Sequence, residues 1–260
     1  MSLQRAEALR RECADMVGFC RDLSDAEWRA PSEAPGWRVQ DVLAHVGSAC
    51  HAIFTPASLK LMTSKDIERT NDWFVDRRRD WEPSRVLAEF ERWSGRIVTL
   101  TTVLTKTPVA AVPLRLGELG RFPVGSVLGG GLVFDMHTHL RHDLAPALGR
   151  PVPATDELRL AVVLDWMLAV LGKQLKADPL PWLDRPLSLS LHGAGGGSWR
   201  VGVDGSLTPG AGNDAAASIS AAALNFPNWA TRRSPWREHD VSVVGDQEFG
   251  ARFLDAMNVV

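Results

Sequence analysis

Three residues of the segment DMHTHLRHD have the types and spacing that chemistry needs: Asp135, His139 and His142 stand at steps of four and three. On a helix those steps return to one stripe, so the three side chains can point at one place, whereas His137, two residues from His139, must face elsewhere. An imidazole and a carboxylate one turn apart can chelate a single Zn²⁺ or similar divalent ion, whose ligands sit about 2 Å away. A third ligand has to come from another element. His45 is the natural supplier. It lies at the edge of the apolar stripe Val39, Val42, Leu43, Val46, Cys50 and Ile53, about 100° round the helix from Val46, where a side chain faces a cleft between helices. Three protein ligands would leave a zinc position open to water or substrate, as in catalytic sites. The same stripe also suits a helix face with ordinary hydrogen bonds and no metal, and spacing alone leaves both readings open. His51 falls on the opposite, solvated side of its helix, and His192 and His239 have no partnering motif.

Other chemistries find little support. No Ser/His/Asp or Cys/His arrangement stands out, and neither a P-loop nor a GxGxxG after a strand is present. Cys13, Cys20 and Cys50 are too few for a disulfide framework; Cys13 and Cys20, seven apart on an apolar stripe, read as reduced, buried thiols. A formal net charge of −2, from 29 basic and 31 acidic residues, gives no electrostatic footprint for nucleic acid or anionic lipid. No apolar run approaches the roughly 20 residues that cross a bilayer, and the start of the chain is charged, so the sequence predicts a cytoplasmic protein without a membrane partner.

The elements that must position these residues follow from periodicity. Ala6, Leu9, Cys13, Met16, Val17 and Cys20 recur at three and four, the mark of a helix with one buried face. Ser24 with Glu27 forms a capping box for a short helical turn. The His45 helix follows Pro31, Pro35 and Gly36; Asn71 to Asp80 is charged and reads as a solvated connection; Val86 to Leu104 is a third long helix; Val127 to Leu148 is a fourth apolar stretch, stopped by Gly149 and Pro151. Four such helices suggest a bundle. A fifth apolar helix, about 156–176, precedes DPLPWLDRP, where the texture changes. The expected division is therefore 1–178, including that linking helix, and 179–260. After it PLSLSLHG and SWRVGV alternate around GGG as a hairpin-like pair, Ala216 to Ser220 and Val241 to Val244 are further strand candidates, and Ala221 to Ala230 and Gln247 to Met257 are helix candidates. The fold class is α+β.

The stretch PGWRVQDVLAHV resembles the "GW-V-DV-LAH" signature of the mycothiol-dependent maleylpyruvate isomerase family, a branch of the DinB-like metal-binding four-helix bundles. DMHTHLRHDLAPALGRP is similar to that family's second motif, an acid, three residues, a histidine, then an Asp and "ALGRP". GGGSWRV and VVGDQEFGARFL resemble its sterol-carrier-protein-like C-terminal domain. The resemblance implies a DinB-like bundle followed by a small α+β sterol-carrier-like domain, with His45, Asp135 and His139 as metal ligands. Two departures stand out: the acid is commonly Glu and is Asp135 here, and the Asp after the histidine is displaced by one, giving His142-Asp143, which makes His142 an alternative ligand. It also implies a catalytic arginine near the cleft, best matched by Arg232 in NWATRRSPW, to pair with a substrate carboxylate. The implied activity is isomerase or S-transferase chemistry on a small acidic or electrophilic substrate. Zinc is the first choice of metal, mycothiol the thiol cosubstrate, and its metal-held thiolate the nucleophile. A non-catalytic small-molecule or metal-binding protein of the same superfamily is the alternative, and metal-assisted hydrolysis with Asp143 or His142 as base ranks behind it. A monomer and a homodimer suit the sequence equally.

Overall fold

The computed structural model describes residues 2–212 and 214–259, which divide into two compact units, Met1–Ala154 and Thr155–Val260. The first unit is helical. It runs through α1 (Ser2–Arg21), α2 (Asp25–Arg29), α3 (Val39–Ala52), α4 (Ser58–Met62), α5 (Ile67–Asp76) and α6 (Pro83–Leu104). A small antiparallel pair follows, β1 (Pro113–Leu116) with β2 (Gly120–Pro123). The fourth long helical stretch is composite: α7 (Val124–Ser126), a π turn at Val127–Gly131, α8 (Leu132–Thr138) and a second π turn at His139–Leu144.

The expected stripes close the bundle. α6 packs on α1 and α3, and α8 packs on the same two helices. Leu9 and Met16 of α1, Leu43 of α3, Phe90 and Ile97 of α6, and Met136, Leu140 and Leu144 of the composite helix are fully buried between them. Gly129 permits the close approach of α1, since a Cβ there would come within 2.7 Å of Arg5 Cβ. The capping box of Ser24 and Glu27 is formed as expected. Asn71 to Asp80 differs from its reading as a solvated connection: most of it belongs to α5, which lays Thr70, Phe74 and Val75 against the bundle and keeps its charged residues outside. Three buried positions in ten residues give too narrow a stripe to stand out from the surrounding charge.

The second unit starts earlier than the change of texture near Pro179. α9 (Glu157–Ala177), capped by Asp156, groups with it rather than with the bundle. Two tight turns explain why: a Cβ on Gly195 would meet Ala161 N at 2.6 Å, and one on Gly205 would meet Leu175 at 2.8 Å, so both turns of the sheet lie directly on α9. Among the described residues the sheet has five strands in the order β5-β4-β3-β6-β7: β3 (Leu187–His192), β4 (Gly197–Val201), β5 (Leu207–Pro209), β6 (Ala217–Ala222) and β7 (Val241–Gly245), with β3 and β6 parallel and the other pairs antiparallel. Leu187, Leu189 and Leu191, and Ala217, Ile219 and Ala221 beside them, form its buried face. The helix expected over Ala221 to Ala230 shortens to α10 (Phe226–Ala230), because Ala221 and Ala222 still pair in β6. The chain closes with α11 (Gln247–Ala256), whose cap Asp246 accepts from Phe249 N. No helix among the described residues is long and apolar enough to cross a membrane.

Candidate metal centre

The approach to the site begins with a turn. In Ala34-Pro35-Gly36-Trp37, the Trp37 N–H donates to Ala34 O at 3.1 Å and Gly36 has φ 80°, the conformation that a Pro-Gly pair favours. The chain then enters α3, where Asp41 accepts from Arg38 N at 3.0 Å and from the Arg38 guanidinium, pinning the first turn. One turn on, His45 points into the bundle and is only 5% exposed.

There it meets the composite helix. One ligand atom each from His45, Asp135 and His139 lie within 4.8 Å of one another, and His45 Nε2 is 3.8 Å from Asp135 Oδ2. His139 is 9% exposed and the Asp135 side chain 29%, so the carboxylate marks the open side of the cluster. Ligand atoms about 2 Å from one ion can lie no more than about 4 Å apart, so small side-chain rotations would close this donor set around a divalent cation. The remaining nitrogen of His139 supports the fit: Nδ1 donates to Asp143 Oδ2 at 2.6 Å, which fixes the tautomer and leaves Nε2 with a lone pair for a metal. Asp143 itself is fully buried. Two nitrogens and one oxygen suit zinc and its neighbours in the first transition row.

The structure thus brings together three of the four ligand candidates; His142 is outside the cluster. The reason is the π turn that begins at His139, whose i→i+5 hydrogen bonding widens the helix, so a step of three no longer returns to the same stripe. The same widening is consistent with Asp143, four residues on, lying under His139. Sequence reasoning noted Asp143 only as a displaced motif residue or a possible base, although its spacing from His139 was visible. Two further residues were missed. Trp37 packs its indole against both imidazoles, with centroids 5.1 Å from His45 and 6.2 Å from His139, and Asp72 of α5 accepts from the indole N–H at 2.9 Å.

The other histidines are elsewhere. His51 does not face solvent as expected: it stacks on Trp93 at 4.4 Å and its Nδ1 is 2.9 Å from Glu89, which is itself paired with buried Arg78. His192 is exposed, and His239 bonds Ser234 Oγ at 2.6 Å. Arg232, in the second unit, has a left-handed φ of 59° and gives its guanidinium to Met257 O and Asp255 O, the carbonyls that end α11. The cysteines are buried. Burial pushes the thiols of Cys13 and Cys20 up to about 12 and that of Cys50 well above its ordinary value.

A helical bundle that gathers two histidines and an aspartate inside, followed by an α/β unit, defines a two-unit α+β protein with a metal-competent centre. Residues 9–128 match the family model described as the mycothiol maleylpyruvate isomerase N-terminal domain. His45 lies inside the matched stretch; Asp135 and His139 lie beyond it. Among solved structures, the chain resembles the crystal structure of the mycothiol-dependent maleylpyruvate isomerase and that of a point mutant of the same enzyme. Each has a TM-score of 0.59 and 14% identity, covering 94% of this chain and 93% of the other. At that identity the likeness establishes a shared fold. No curated protein sequence matches the chain.

Proposed function

We propose that this protein is a mycothiol-using isomerase or S-transferase that acts on a small acidic or electrophilic substrate at a divalent metal, zinc by preference, held by His45, Asp135 and His139. The observation that carries the reading is the convergence of those three ligand atoms inside a bundle that matches this family model over residues 9–128. When bound, the ion supplies a positive charge that lowers the pKa of a coordinating thiol and keeps it as thiolate.

The chain's own residues supply the rest. Asp143 holds the Nδ1 proton of His139 and keeps Nε2 free to ligate. Asp135, on the more exposed side, leaves room for cosubstrate to approach. The buried cysteines are poor nucleophiles, burial pushing the thiols of Cys13 and Cys20 up to about 12 and that of Cys50 well above its ordinary value, which agrees with a thiol brought from outside rather than one of the protein's own. Arg232 is our assignment for the substrate carboxylate, by family resemblance; because it also caps α11, its variant has to be read beside a thermal melt.

The test is elemental analysis of protein purified without chelator, wild type beside His45→Ala, Asp135→Ala and His142→Ala. About one equivalent of divalent metal, lost in the first two variants and kept in the third, is expected. Assays with mycothiol and small unsaturated acids then follow, with Arg232→Ala raising KM for acidic substrates. Protein that takes up no metal points instead to a small-molecule-binding protein.

A further inference from the structure

An imidazole ring is not held in its plane by rotamer preference, because its outer torsion is broad. Two histidines that must aim their nitrogens at one point therefore need packing or hydrogen bonds to fix them. For His139, Asp143 supplies such a bond. The ring that touches both histidines is Trp37. Its plane is tilted by 42° to His45 and 33° to His139, while the two imidazoles lie 5.2 Å apart and nearly edge-on, at 75°. The three rings form a closed triangle, and the indole is the member carried by neither ligand helix.

Trp37 is itself fixed at two ends. Its backbone is held by the Pro-Gly turn, by Ser32 N donating to Trp37 O at 3.0 Å and by Ser32 Oγ donating to the same oxygen at 2.8 Å. Its indole N–H, a group that can only donate, is held by Asp72 Oδ1 at 2.9 Å. Asp72 lies on the exposed side of α5, away from Thr70, Phe74 and Val75 that seat the helix, so its contact with Trp37 is not explained by core packing.

We propose that Trp37, anchored by Asp72, is a positioning residue of the metal centre, holding the His45 and His139 rings at the mutual angle that directs them to one ion. The inference rests on the metal reading above. Co²⁺ is the probe, because its visible absorption reports ligand geometry and because ten tryptophans make intrinsic fluorescence a poor reporter of one. With full-length protein, Trp37→Ala should weaken Co²⁺ binding about tenfold or more in a chelator competition, in the range that supporting residues of metal sites show, and change the band shape. Asp72→Ala should move both readouts in the same direction by less. Asp72→Asn, which keeps an acceptor oxygen, should restore them. In Trp37→Phe, which has no N–H, adding Asp72→Ala should have no further effect. Wild-type affinity and spectrum in folded Trp37→Ala would overturn the proposal. If Trp37→Ala does not fold, wild-type behaviour of the surface variant Asp72→Ala overturns it instead. A wild-type protein that binds no Co²⁺ would overturn the metal reading, and this inference with it, a result distinct from binding that is insensitive to Trp37.

Discussion

His139 and Asp143 form a 2.6 Å hydrogen bond inside the bundle, four residues apart on a π turn, with the carboxylate fully buried. A buried carboxylate facing the distal nitrogen of a metal-competent histidine does two things: it selects the tautomer and it makes the other nitrogen a stronger donor. Asp143→Asn keeps the shape but removes the charge and permits the wrong tautomer. Its metal affinity should fall by about 10- to 100-fold, measured by competition with a chromophoric chelator. Unchanged affinity would mean that the bond serves folding alone.

Glu12 and Arg141 join α1 to the second π turn. Their side chains are 0% and 3% exposed, Arg141 Nη1 lies 2.7 Å from Glu12 Oε2, and the guanidinium also reaches Pro153 O and Ala154 O at 3.0 Å each. Arg141 Nη2 also lies 3.4 Å from Asp15 Oδ2 on a side chain 35% exposed, so removing Glu12 takes away the fully buried carboxylate that faces this buried cation. Glu12→Ala should cost about 3–5 kcal/mol in urea unfolding, and replacing both by apolar residues of similar volume should cost less than that single change. Equal costs would show that the pair's charge is not what matters.

The three thiols should be silent in the native state. With Cys13 and Cys20 at about 12 and Cys50 well above its usual range, almost no thiolate exists at pH 8, and all three are buried. A disulfide titrant should label the folded protein negligibly and find three equivalents after denaturation. Rapid labelling of the native protein would contradict this.

Glu27 predicts an acid-side effect. Its bonds to Ser24 N and Oγ and the Arg150 guanidinium hold its carboxyl at about 2, against an ordinary 4.5. A folded pKa below the unfolded one means a stabilising contribution fully present above about pH 4.5 and lost as pH falls through about 2. Thermal melts from pH 6 to pH 2 should decline more steeply for wild type than for Glu27→Gln. Parallel curves would show that the charge of Glu27 adds nothing to stability.

Much was legible in the chain itself. The stripes of α1, α3 and α6, the Ser24 box, the alternation of LSLSL and the break at Pro35-Gly36 are local signals, set by the periods of helix and strand and by turn chemistry, and each reappears in the structure. Helical spacing put Asp135 and His139 on one stripe and His45 at the edge of another, the family resemblance singled out these three, and the structure brings them together. What spacing could not give was the winding of the helix beneath them. A π turn is decided by how the composite helix packs on α1 and α3, and it is this turn that leaves His142 outside the cluster while Asp143 lies under His139. Nor could sequence bring Asp72, thirty-five residues away in a segment read as solvated, to the indole of Trp37; only the docking of α5 on α3 does so. Local periodicity offered the candidates, and long-range packing chose which of them meet and what surrounds them.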